Sequence, residues 1–101
     1  MFVQRVVFHA AQGKGRELRA LLEERVKSAQ SQGRAAALSV QMFGGGGFAM
    51  TLRYNTLAEL EERRAGLASD SAFQAWATKV AAVTRGPAES ELFEVLIPLP
   101  S

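Results

Sequence analysis

The hydrophobic repeat of this 101-residue chain switches period in one order, and that order limits the folds open to it. Residues 2–9, "FVQRVVFH", are β-branched and aromatic and read as a strand. From Arg16 to about Gln32 the apolar positions Leu18, Leu21, Leu22, Val26 and Ala29 fall on one helical stripe, and Gly33 is placed to end that helix in a left-handed conformation. Strands are expected again at about Ala37–Phe43 and at Phe48–Tyr54. A helix follows from Thr56, whose spacing to Glu59 suits a capping box, and Gly66 is expected to stop it. A further helix restarts with Ser69 or Asp70 as cap and Phe73, Trp76, Ala77, Val80 and Val83 or Thr84 as its buried stripe. Gly86-Pro87 is expected to end it, and "ELFEVLI" is the last strand.

The order β-α-β-β-α-β, with its second helical element in two pieces, is the split βαβ pattern. It predicts one α+β domain over residues 1–101: a ferredoxin-like, antiparallel four-stranded sheet with helices on one face.

The one stretch resembling a chemical motif is "FGGGGF" at 43–48. Gly44, Gly46 and Ala49 satisfy a loose G-x-G-x-x-A pattern, but that pattern holds a pyrophosphate only where it opens a helix. Here β-prone "FAMTLRY" follows, so the glycines are expected to form a hairpin tip. Gly13 and Gly15 do precede a helix, beside Lys14 and Arg16, but a strand-to-helix turn accounts for them.

Alternation divides the strands between two faces. Phe2, Val6, Phe8, Leu38, Val40, Met42, Met50, Leu52, Phe93, Val95 and Ile97 form an apolar set expected under the helices. The other set mixes Val7, Phe43, Leu92 and Leu96 with Arg5, His9, Gln41, Thr51, Arg53 and Glu94. Exposed contiguous apolar surface marks an interface, so a second copy of the chain is expected on that face. The polar members would then line a cavity between two sheets. Glu94 neutralises one arginine there as a structural ion pair, or the arginines, Gln41 and Thr51 bind a small, partly anionic molecule. His9, the only histidine, is the candidate general base.

Composition removes other classes. There is no cysteine, and a single histidine makes a structural zinc site unexpected, so no metal and no cofactor are expected. Net charge is +2, but Arg and Lys interleave with Glu in "GKGRELRALLEERVK" and "ELEERRAG". Solvated helix faces follow rather than a nucleic-acid stripe. No apolar run approaches a membrane span, no secretory leader is expected at "MFVQRVVFHA", and a cytoplasmic location follows.

Two segments carry a family resemblance. "QRVVFHAAQGKGREL" resembles the opening strand, glycine turn and first helix of NIPSNAP-like proteins, and "YNTLAELEERRAGLASDSAFQAWATKV" is similar to their middle segment. The resemblance implies a dimeric α/β barrel, in which two ferredoxin-like subunits pack sheet to sheet. NIPSNAP-like proteins mostly lack an assigned activity; wider relatives include cofactor-free antibiotic-biosynthesis monooxygenases and haem-degrading monooxygenases. The haem degraders use a first-strand Asn, a Trp and a His on the last helix. Here Asn55 follows the third strand, Trp76 falls near the place of that histidine, and the only histidine is on the first strand. Haem degradation is not expected. The resemblance leaves a small-molecule-binding homodimer and a cofactor-independent monooxygenase or isomerase of aromatic or polyketide-like substrates both open.

Overall fold

The computed structural model describes residues 1–100. Its elements are β1 (Phe2–Phe8), α1 (Gly15–Ser31), β2 (Ala36–Val40), β3 (Phe48–Tyr54), α2 (Leu57–Ala68), α3 (Ser71–Val83) and β4 (Glu89–Glu94). The strands form one antiparallel sheet in the order β2-β3-β1-β4, the ferredoxin-like α+β arrangement expected from the sequence. Leu18, Leu22 and Val26 of α1 and Val80 and Val83 of α3 pack on Phe8 and Met50 of the sheet to make the core. The helices therefore cover one face, and the other is open.

Local chemistry sets the helix ends. Gly33 adopts φ +79°, its N–H donates to the Gln30 carbonyl at 3.0 Å, and the Arg34 N–H donates to Ala29 at 3.0 Å. At α2 the Glu59 N–H donates to Thr56 Oγ1 (3.1 Å), while the Glu59 carboxylate accepts from the Asn55 N–H (3.0 Å). Asp70 caps α3 by accepting from the Phe73 N–H at 3.1 Å. Gly66 does not stop α2. It lies inside the helix, which runs on to Ala68, because a glycine with helical φ costs only about 1 kcal/mol against alanine. Nor does Gly86-Pro87 end α3: the helix stops at Val83, where Thr84 turns extended and bridges to Ala10.

Two expectations about the strands are corrected. β2 stops at Val40 rather than Phe43, because Gln41 closes the hairpin early. Its N–H donates to the Gly47 carbonyl at 2.8 Å, and its side-chain oxygen accepts from the Gly47 N–H at 3.1 Å. Met42 and Phe43 consequently project from the tip, 81% and 92% exposed. The glycine run is the turn it was expected to be, in two ways. Gly44 and Gly46 take positive φ, whereas Gly47 allows a close approach, since a Cβ there would sit 3.0 Å from the Phe8 carbonyl oxygen.

The second correction is to β4. Arg5 lies opposite Glu91 and Val3 opposite Phe93, while Gln4 lies opposite Leu92 and Phe2 opposite Glu94. Phe93 and Glu91 thus belong to the open face, and Leu92 and Glu94 to the helix side, the reverse of the sequence expectation. "ELFEVLI" is apolar in both alternations, so hydrophobicity did not choose a register. Polar cross-strand pairs are seated in the register adopted: Arg5 with Glu91 at 2.8 Å and Gln4 Nε2 donating to Ser90 at 3.1 Å. Leu96 and Ile97 lie beyond the strand and are exposed.

Candidate functional site

On the open face, the sequence-predicted residues come together only in part. Arg5, His9 and Gln41 line a groove of about 460 Å³ with Glu89 and Glu91. Thr51 is directly opposite Arg5 on β3, and Arg53 is opposite Val3 and exposed. Glu94 is on the other side of the sheet and does not join them. Glu91 takes the role expected of Glu94 by accepting from Arg5, whose guanidinium also lies 5.7 Å from the Phe93 ring centroid. Both partners are half-exposed, so this pair contributes roughly 0.2–1 kcal/mol. His9 is packed under the glycine tip: a Cβ on Gly47 would lie 3.0 Å from its Cε1. Its Nδ1 is buried without a hydrogen-bond partner among the described residues.

A larger cavity, about 940 Å³, lies on the opposite side between the helices and the sheet. Met50, Leu52, Phe73, Trp76 and Val80 contribute its apolar walls. The Trp76 ring is held by its N–H, which donates to the Leu21 carbonyl at 2.9 Å. Arg25 lies over this aromatic wall, 5.0 Å from the Phe73 centroid and 5.5 Å from that of Trp76.

Three half-buried arginines, Arg25, Arg34 and Arg63, line this cavity together with Tyr54. Each is delivered by a different device. Arg25 comes from α1, one position before the core residue Val26; Arg34 follows the left-handed turn at Gly33; Arg63 comes from α2, whose start is set by the Thr56 cap. Burial lowers the pKa of Arg25, opposed by nearby Asp70 and assisted by Arg34. Burial also lowers that of Arg63, with Arg34 and Arg25 adding to the effect. Guanidinium pKa values start so high that both of these stay charged. Tyr54 moves the other way: burial raises its phenol above the ordinary value, although Arg63 and Arg34 pull it down.

Among the described residues, the ion pairs are Arg5–Glu91, Lys14–Glu17 and Arg19–Glu23, and none involves the cavity arginines. Also among the described residues, no three His, Cys, Asp or Glu side chains converge as a metal site. Among the described residues, no helix is long and apolar enough to cross a membrane.

Sequence reasoning missed this cluster because interleaved Arg and Glu read as solvated helix faces. A signal did exist: Arg25 follows Leu21 and Leu22 by four and three positions, at the edge of the buried stripe of α1. Nothing local marked Arg34 or Arg63.

No protein-family model matches the chain, and no curated protein matches it in sequence. Solved structures do. The chain is similar to an uncharacterized NIPSNAP domain protein from Burkholderia xenovorans, with a TM-score of 0.82 and 17% identity over 100% of both chains. It is similar to a NIPSNAP family protein from Agrobacterium tumefaciens, with a TM-score of 0.76 and 22% identity over 92% of this chain and 90% of that one. An antibiotic biosynthesis monooxygenase matches with a TM-score of 0.75 and 15% identity over 96% of this chain and 100% of the other. At these identities the likeness is one of fold, and the ferredoxin-like backbone expected from the sequence is the one found.

Proposed function

We propose that this ferredoxin-like chain binds a small molecule with an apolar or aromatic body and an anionic end, in the cavity between its helices and its sheet. One observation carries the proposal: three half-buried arginines, without ion-pair partners among the described residues, line one cavity with apolar and aromatic walls, and Arg25 lies over its two aromatic rings. Partly desolvated cations outside any ion pair are costly, and a bound anion lowers that cost. A volume of about 940 Å³ suits a drug-sized ligand. The open-face groove is half as large and its Arg5 is already paired, so the helix side is favoured over the inter-sheet site expected from the sequence.

Trp76 is the only tryptophan and lines the cavity, so its emission reports occupancy. Titration with naphthoate and related aromatic anions should change that emission and raise the melting temperature by mass action on the folded state. A panel of such anions that moves neither signal would remove the proposal.

The likeness to an antibiotic biosynthesis monooxygenase favours a second reading, cofactor-independent oxygenation or isomerisation of an enolisable aromatic or polyketide-like substrate. The arginines would stabilise the enolate, and the protonated Tyr54 hydroxyl would donate to its oxygen. His9 is not suited to be the base for this cavity, because it lines the groove on the opposite side of the sheet. Oxygen uptake with an anthrone-type substrate tests this reading. No uptake from a substrate that binds would leave a binding protein.

The open face supports a homodimer in which two copies pack sheet to sheet. Val3, Val7, Ala49 and Phe93 share that face by register and give it an apolar centre around the Arg5–Glu91 pair.

A further inference from the structure

We propose that the anionic end of the ligand is a phosphate monoester rather than a carboxylate, an assignment that rests on the cavity reading above. Charge is the first ground. Arg25, Arg34 and Arg63 bring three positive charges to one region, and Asp70 is the carboxylate acting on Arg25 and Arg63. About two positive charges remain. At the wider rim Arg64 stands with Glu59 and Glu62, and the Glu59 carboxylate is engaged by the Asn55 N–H. A dianion balances that excess, whereas a carboxylate balances half of it.

Donor count is the second ground. Among the described residues, no side-chain hydrogen bond is donated by Arg25, Arg34 or Arg63; the arginine donors that are engaged belong to Arg5 and Arg19. The Arg25 guanidinium lies over Phe73 and Trp76, a contact with the ring faces that uses none of its N–H donors in a hydrogen bond. Asp70 is held by the Phe73 N–H and Glu59 by the Asn55 N–H, so both acids are committed to helix starts. Three forked donors match the three terminal oxygens of a phosphate monoester better than the two of a carboxylate.

The aromatic wall accounts for the remainder of the ligand. Phe73 and Trp76 lie 5.7 Å apart at 34°, and the indole is anchored to Leu21. An apolar body can therefore pack on a surface that is already ordered, so little conformational freedom is lost on binding.

The test compares 1-naphthyl phosphate, 1-naphthoate and inorganic phosphate, followed by Trp76 emission and calorimetry on the full chain at constant ionic strength. The phosphate ester should bind at least about tenfold more tightly than the naphthoate, the equivalent of one further charge-assisted interaction. Inorganic phosphate should bind at least about tenfold more weakly than the ester, because it has no body to place on Trp76. In Arg34→Gln/Arg63→Gln, the preference for ester over naphthoate should collapse toward one. Equal binding of naphthoate and ester by the wild-type chain overturns the phosphate assignment and leaves the cavity reading standing. Failure of both aromatic anions to bind overturns both. Inorganic phosphate binding as tightly as the ester also overturns the assignment, since the site would then recognise free phosphate. These comparisons use the wild-type chain, so the outcome does not depend on the double variant folding.

Discussion

The indole N–H of Trp76 donates to the backbone carbonyl of Leu21 at 2.9 Å, tying α3 to α1 across 55 residues of sequence. The same ring meets Phe8 edge-on at 6.4 Å and Phe73 at 5.7 Å, so one hydrogen bond orients both core packing and cavity wall. Trp76→Phe keeps an aromatic ring but loses the donor and some volume. Stability should fall by about 1–3 kcal/mol in urea denaturation, and affinity for aromatic anions should fall with it. An unchanged midpoint would mean that the indole contact does not hold the two helices.

Tyr54 is the only tyrosine and is 8% exposed, so its titration can be followed by ultraviolet absorbance. Burial raises its folded pKa above the ordinary value of 10.0. Because the folded value is the higher one, its contribution to stability is complete below about pH 10 and is lost as pH rises through the folded pKa. The folded protein should therefore ionise later than the same chain in urea. A bound anion should delay ionisation further, because it masks Arg63 and Arg34, the charges that favour the phenolate. Ionisation at or below the urea value would show that the arginines outweigh burial.

Of Gly45 and Gly47, the two tip glycines without positive φ, Gly47 should be the less replaceable. A Cβ there would lie 3.0 Å from backbone and side-chain atoms of β1, whereas at Gly45 the near contact is the His9 ring at 3.2 Å. Gly47→Ala is expected to cost roughly 1–3 kcal/mol by forcing the tip away from β1, and Gly45→Ala less. Equal effects in chemical denaturation would argue that the tip moves as a whole.

Phe93 tests the sheet-to-sheet dimer. It shares the open face with Arg5 and Val3, is 45% exposed, and its neighbour Leu92 lies on the helix side. Sedimentation should give about twice 10.9 kDa for the wild type and the monomer mass for Phe93→Glu, while Leu92→Glu should leave association intact. A wild-type monomer at micromolar concentration would dismiss the dimer.

The sequence by itself determined the element order, and with it the ferredoxin-like sheet. The 3.6-residue stripe of α1, the caps at Thr56 and Asp70 and the left-handed Gly33 are local features, readable because each depends on neighbours a few positions away. Which face of β4 meets the helices was not readable, because "ELFEVLI" is apolar in both phases and its register depends on pairing with β1, some 86 positions distant. The candidate site was hidden for the same reason. Arg25, Arg34 and Arg63 are ordinary surface residues in sequence, and only the packing of α1, α2 and α3 over the sheet brings them to one cavity with Phe73 and Trp76. A charge becomes informative once its surroundings have removed part of its water and left it outside any ion pair, and tertiary structure alone decides that.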